Sequence, residues 1–116
     1  MEIKRFDKRP GCSRLVIHNH VAYFTGHSAR PEFKTMKEQT RAVCERYDEL
    51  FAQFGLKKEN IIMMNAYLKD ISMIGDFKEV YEEWLAGEVA PAGVAVQAPP
   101  SGEGNLLELQ FIMAVD

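Results

Sequence analysis

The sequence predicts an α+β fold: a mixed β-sheet with two helices on one face, in the order β-β-β-α-β-α-β-β. Three observations predict it. Two stretches repeat their apolar residues at helical spacing, short β-rich runs surround them, and glycine or proline signals separate one from the next. Two amphipathic helices each need an apolar surface, and one face of a single sheet supplies it for both.

Ile3 to Phe6 suits a short first strand, and Arg9-Pro10-Gly11 a turn. The β-rich runs Leu15 to His18 and Val21 to Thr25 flank Asn19, the expected turn residue of a hairpin. Gly26 to Pro31 reads as a loop. Met36, Thr40, Val43, Cys44, Tyr47, Leu50, Phe51 and Phe54 then recur at spacings of three and four, with Lys37, Glu38, Arg41, Glu45, Arg46 and Glu49 between them. That is one apolar stripe on a helix, and Gly55 is placed to end it. Ile61 to Leu68 is short, apolar and without helical period, which predicts a buried strand. Asp70 to Ser72 forms a turn, with Ser72 the expected cap of a second helix. That helix carries Met73, Phe77, Val80, Tyr81, Trp84 and Leu85 on one stripe and stops at Gly87.

After Pro91 come a strand from Gly93 to Ala98, a rigid loop Pro99-Pro100-Ser101-Gly102 and a last strand from Leu106 to Val115. In the last strand Leu107, Leu109, Phe111 and Met113 face one way, and Glu108, Gln110, Ile112 and Ala114 the other. The Ile112 and Ala114 side, with part of Ile61 to Leu68, is too apolar to face water. A homo-oligomer covering it is expected.

The 116 residues suffice for a single domain, 1–116. A composition 47% hydrophobic and 27% charged excludes a disordered tail or a fibre. A net charge of -3 argues against a phosphate-backbone partner, so nucleic acid is not expected. Cys12 and Cys44 read as reduced thiols, and neither a signal segment nor a membrane-length apolar run is present in the sequence. The expected compartment is the cytoplasm, with no membrane partner.

His18, His20 and His27 lack the ligand spacing of a zinc site, so no metal is expected. His27, in the loop after a strand, is the one with a candidate site role. Cys44 lies on a core stripe. Cys12 is in a loop, where a Cys12–His27 nucleophile pair is the functional reading to weigh. Glu103 sits in a glycine-rich loop and reads as solvated. Glu108 interrupts an apolar strand, where a carboxylate needs donors, water or a subunit boundary. It is either a site residue or a structural carboxylate at an oligomer interface.

Five stretches, taken in order, resemble the RidA/YjgF family, also called the L-PSP or YER057c type. They are Cys12-Ser13, Val21 to His27, Asp76-Phe77, Ala90-Pro91-Ala92 and Leu107-Glu108-Leu109. The resemblance covers nearly the whole chain. It implies a chorismate-mutase-like fold, a homotrimer with sheets inward, a small-molecule ligand in an intersubunit cleft, and no cofactor. It also implies hydrolysis of enamines and imines such as 2-aminoacrylate to a keto acid and ammonia. In such proteins an arginine grips the substrate carboxylate through two hydrogen bonds, and a glutamate positions or activates the water.

Carried over by position, Glu108 matches the glutamate and is the candidate catalytic residue. Thr25 replaces a serine, His27 a glutamine, and Cys12 an aromatic residue of the cleft. Gly93 stands where the arginine belongs, and the family's helix asparagine has no match near Lys78 to Tyr81. Each charge-assisted hydrogen bond so lost is worth roughly 1.5–3 kcal/mol. Arg14, Arg30 or a protonated His27 are the residues that could stand in. The resemblance therefore implies a ligand-binding protein with Cys12, Thr25, His27, Gly93 and Glu108 at its cleft. Its activity is expected to be hydrolase- or deaminase-like with altered specificity, and standard imine deamination weak or absent. The alternatives are a non-enzymatic metabolite-sensing or regulatory protein and, ranked last, an endoribonuclease.

Overall fold

Lys4–Arg9 (β1) and Cys12–His18 (β2) pair antiparallel around Pro10-Gly11. Proline presets the first turn position, and Gly11 supplies the left-handed second one at φ 75°. The structure, a computed structural model, describes residues 1–87 and 90–116. β1 thus starts one residue later than Ile3 and runs three beyond Phe6. Val21–Phe24 (β3) closes the expected hairpin with β2. Both turn residues, Asn19 and His20, take positive φ, at 50° and 63°, which matches the twist of the flanking strands.

The stretch expected to be only a loop contains a two-residue strand, His27–Ser28 (β4), held by pairing with the last strand. Met36–Phe54 (α1) follows. Thr35 caps it by accepting from the Glu38 amide at 3.1 Å, while its hydroxyl donates to the Glu38 carboxylate at 3.0 Å. Gly55 ends it in the left-handed conformation. Buried Gln39 is fully satisfied. Its amide nitrogen donates to the Phe33 and Gly104 carbonyls, and its oxygen accepts from the Leu106 amide, each at 2.8 Å.

Ile61–Leu68 (β5) is the expected strand, and Ile74–Leu85 (α2) the expected second helix. Ser72 is not its cap. Asp70 accepts from the Ser72 amide at 2.9 Å and caps a single 3₁₀ turn, Ile71–Met73, which runs into α2 without a side-chain cap. The Asp70 carboxylate reaches two residues on to the Ser72 amide, so the turn is capped one step earlier in the chain. α2 closes at Ala86, which is left-handed one residue before Gly87.

Ala92–Gln97 (β6) and Leu107–Ala114 (β7) complete a seven-stranded sheet in the order β1-β2-β3-β7-β5-β6, with β4 also on β7. Only β5 and β6 run parallel, joined by α2 as a crossover. The order is therefore the expected one with β4 added.

Both helices lie on the face that presents Leu107, Leu109, Phe111 and Met113, all fully buried. The Phe111 ring lies 4.6 Å from that of Tyr47 on α1 and 5.6 Å from that of Trp84 on α2, so it joins both helices to the sheet. Cys44 is sealed in this layer, where burial pushes its thiol up to about 12, an inert group at neutral pH. The opposite face is open. Tyr23, Met63, Val94 and Val96 are exposed on it, and Ile112 is half-buried beside Tyr23 and Met63. Among the described residues no helix is long and apolar enough to cross a membrane.

Candidate functional site

Glu108 projects from β7 onto the open face, where Tyr67 of β5 is its cross-strand neighbour. On its other side β3 gives way to β4, and the register against β7 slips. Tyr23 faces Ile112, but His27, four residues on, faces Leu109, only three residues back. One extra residue is accommodated at Thr25-Gly26, a bulge. The bulge and the loop after β6 enclose a cleft of about 440 Å³ lined by Thr25, Gly26, Tyr67, Pro99, Pro100, Ser101, Glu108 and Gln110.

Gly26 leaves room for this carboxylate: a Cβ there would lie 2.5 Å from Oε2 of Glu108 and push the side chain aside. The carboxylate thus rests on a bare α-carbon. Gln110 fixes the floor. Its Nε2 donates to the Phe24 carbonyl at 3.0 Å, and its Oε1 accepts from Asn65 Nδ2 at 3.2 Å. Cys12 Sγ lies 3.4 Å from the Thr25 hydroxyl. Among the described residues no lysine, arginine or histidine forms an ion pair with Glu108. The structure therefore places Thr25 and Glu108 in one cleft, with Cys12 touching Thr25 but not among the cleft's lining residues.

It does not bring His27 to them. Two residues apart on a regular strand, Thr25 and His27 would share a face, but the bulge turns His27 over to the helix side. There its Nδ1 lies 2.9 Å from the Thr25 carbonyl and 3.2 Å from the Tyr47 hydroxyl. Burial lowers the imidazole from 6.5 to about 4, only partly opposed by the hydrogen bond to Thr25. The ring is neutral at pH 7, with Nδ1–H donating to Thr25. The Tyr47 hydroxyl donates to the Leu109 carbonyl at 2.7 Å, and burial, then the Glu108 charge, holds that phenol well above its usual range. His27 lines a separate cleft of about 520 Å³ between β4 and α1, with Arg30, Glu45, Arg46 and Glu49.

Gly93 lies elsewhere again. It sits beside Met64 on β5, and both belong to the helix side of the sheet. It lines a slot of about 280 Å³ against Phe77 and Tyr81 of α2. A Cβ at Gly93 would approach the Met64 carbonyl to 2.6 Å, so the glycine lets β6 approach β5 closely, besides leaving out a guanidinium. Neither candidate replacement lines the Glu108 cleft. Arg14 Nη1 is 3.1 Å from Asp7 Oδ2, and Arg30, largely exposed, belongs to the His27 cleft.

Gly26, Tyr67, Ser101 and Gln110 were not among the expected site residues. Gln110 had a signal in the alternation that placed it beside Glu108. Tyr67 and Ser101 arrive only through tertiary pairing.

Comparison with known proteins agrees along the whole chain. The family described as endoribonuclease L-PSP matches residues 3–115. A RutC family protein of Haemophilus ducreyi is 27% identical over 114 residues, covering 98% of this chain and 97% of that one. A RutC family protein of Haemophilus influenzae is 31% identical over 101 residues, covering 84% and 85%. Among solved structures, a YjgF-family protein from Neisseria meningitidis superposes with a TM-score of 0.92 at 24% identity, covering 100% and 97% of the two chains.

Proposed function

The chain belongs to the endoribonuclease L-PSP family, and from that premise we propose that it is a RidA-like homotrimer, built of a single domain, with a small-molecule cleft between subunits and Glu108 as its working group. Membership in the family supports a Rid-like, small-molecule-binding protein. The observation that carries the finer reading is the Glu108 carboxylate, unpaired, resting on Gly26 and facing a cleft beside the Thr25 hydroxyl. A carboxylate so placed accepts a proton from water as the oxygen attacks a C=N carbon, the chemistry of imine and enamine hydrolysis.

Two features support assembly. The open face carries exposed Tyr23, Met63, Val94 and Val96, which association would cover. Gly93 and Glu108 lie on opposite faces of one subunit, so a cleft including both positions takes them from two subunits. The unpaired thiols Cys12 and Cys44 suit a reducing compartment such as the cytoplasm.

With Gly93 in place of the arginine, the standard reaction is weak or absent. The test generates 2-iminopropionate in situ, traps it with semicarbazide and compares this protein with a conventional family member. A rate equal to that control refutes the altered specificity. For any substrate that is turned over, Glu108→Gln retaining the full rate refutes the role of Glu108. Ligand-induced stabilisation without turnover favours the metabolite-sensing alternative.

A further inference from the structure

We propose that the cleft between β4 and α1 is a second small-molecule site, complete within one subunit, and that its ligand is an amino-acid-like zwitterion with an apolar side chain. This site uses neither Glu108 nor any group of another subunit. It opens on the helix side of the sheet, which association through the open face leaves clear. Its volume of about 520 Å³ is within the ordinary range of ligand clefts.

The charges on its two walls are not equally spent. On α1, Arg46 and Glu49 hold each other at 3.0 Å. Glu45, on the same wall, has no ion-pair partner among the described residues. On the wall that follows β4, the Arg30 guanidinium is 83% exposed and meets only Glu32, at 3.9 Å. Arg30 and Glu45 both line the cleft and do not pair with each other. A carboxylate on one wall and a guanidinium on the other are thus left for a ligand that carries both charges.

His27 adds an acceptor. The Thr25 carbonyl can only accept, so Nδ1 carries the ring proton and Nε2 of the neutral imidazole presents a lone pair. Nε2 has no partner among the described residues, yet it is not sealed from solvent. A ligand ammonium brings three N–H groups, for which Glu45 and this nitrogen are the free acceptors. Arg46, which would otherwise repel it, is neutralised by Glu49. A ligand carboxylate meets Arg30. Ala29, Phe33 and Ala42 line the same cleft and offer an apolar surface to the side chain.

The test uses leucine and two relatives of single charge, 3-methylbutylamine without the carboxylate and 4-methylpentanoate without the ammonium, at constant ionic strength on the intact protein. Binding is read from the backbone amide resonances of Ser28, Ala42 and Glu45, with Ser101 and Gln110 reporting on the Glu108 cleft. Leucine is expected to shift the first set, and each relative to bind at least about tenfold more weakly. Glu45→Gln and Arg30→Gln should each weaken leucine by a similar factor and leave the urea midpoint unchanged, since both side chains are exposed. Either relative binding as tightly as leucine, or either variant keeping full affinity, overturns the zwitterion assignment. Shifts confined to Ser101 and Gln110, or absent altogether, overturn the site itself.

Discussion

Along β7, Leu107, Leu109, Phe111 and Met113 are sealed beneath α1 and α2, whereas their neighbours Glu108, Gln110 and Ile112 are half-buried and Ala114 is exposed. The two sets interleave in sequence and differ in what covers them. On the helix side, aromatic rings from both helices close over the strand, and substitution there is felt as lost stability. On the open side, polar groups collect around the Thr25-Gly26 bulge among exposed apolar side chains. Substitution there should be felt as lost assembly or chemistry.

The largest expected effect breaks the covered face. Phe111→Ala empties the point where Tyr47 and Trp84 meet the sheet and should cost about 3–5 kcal/mol in urea unfolding. Gly93→Arg comes next. Because its Cβ meets the Met64 carbonyl, β6 must move off β5, and we expect a loss of about 1–3 kcal/mol with no gain in 2-iminopropionate hydrolysis. A stable, active variant would show that β6 gives way easily.

A third effect is tied to pH. His27 stays neutral in the fold down to about 4, whereas the unfolded chain takes up its proton near 6.5. The unfolded state therefore binds more protons in that window. Stability due to His27 is whole above it, falls as pH drops from 6.5 to about 4, and levels off below. Subtracting the urea midpoints of His27→Gln from those of the natural protein should reveal that slope, and parallel curves would contradict it. The smallest expected effect on the subunit sharpens the comparison from the other side. Tyr23→Glu on the open face should change subunit stability by no more than about 0.5 kcal/mol. It should nonetheless loosen the oligomer in sedimentation, since a charge buried at an interface is costly.

Much of the covered face was legible because its signals are periodic. The α1 stripe, the Gly55 stop and the alternation of β7 each repeat over enough residues to outweigh local ambiguity. Glu108 stood out for the same reason, as a break in an apolar run. β4 did not, since two residues carry no period and exist as strand only through β7. The side on which His27 lies was equally hidden, because one bulged residue reverses every later side chain. The choice of Asp70 over Ser72 as cap turned on a single amide. Gly93 showed its missing arginine in sequence, but its closeness to Met64 is a property of two strands brought together.

The central place of β7 bears on how the chain is made. It is the last strand in sequence, yet it is what joins β1-β2-β3 to β5-β6 among the described residues. On a ribosome, the first hairpins and the β5-α2-β6 unit emerge with no partner for their inner edges. They must wait until Ala114 has cleared the exit tunnel. Until then the nascent chain presents two open sheet edges, the form in which β-proteins are most prone to pair wrongly or to need a chaperone.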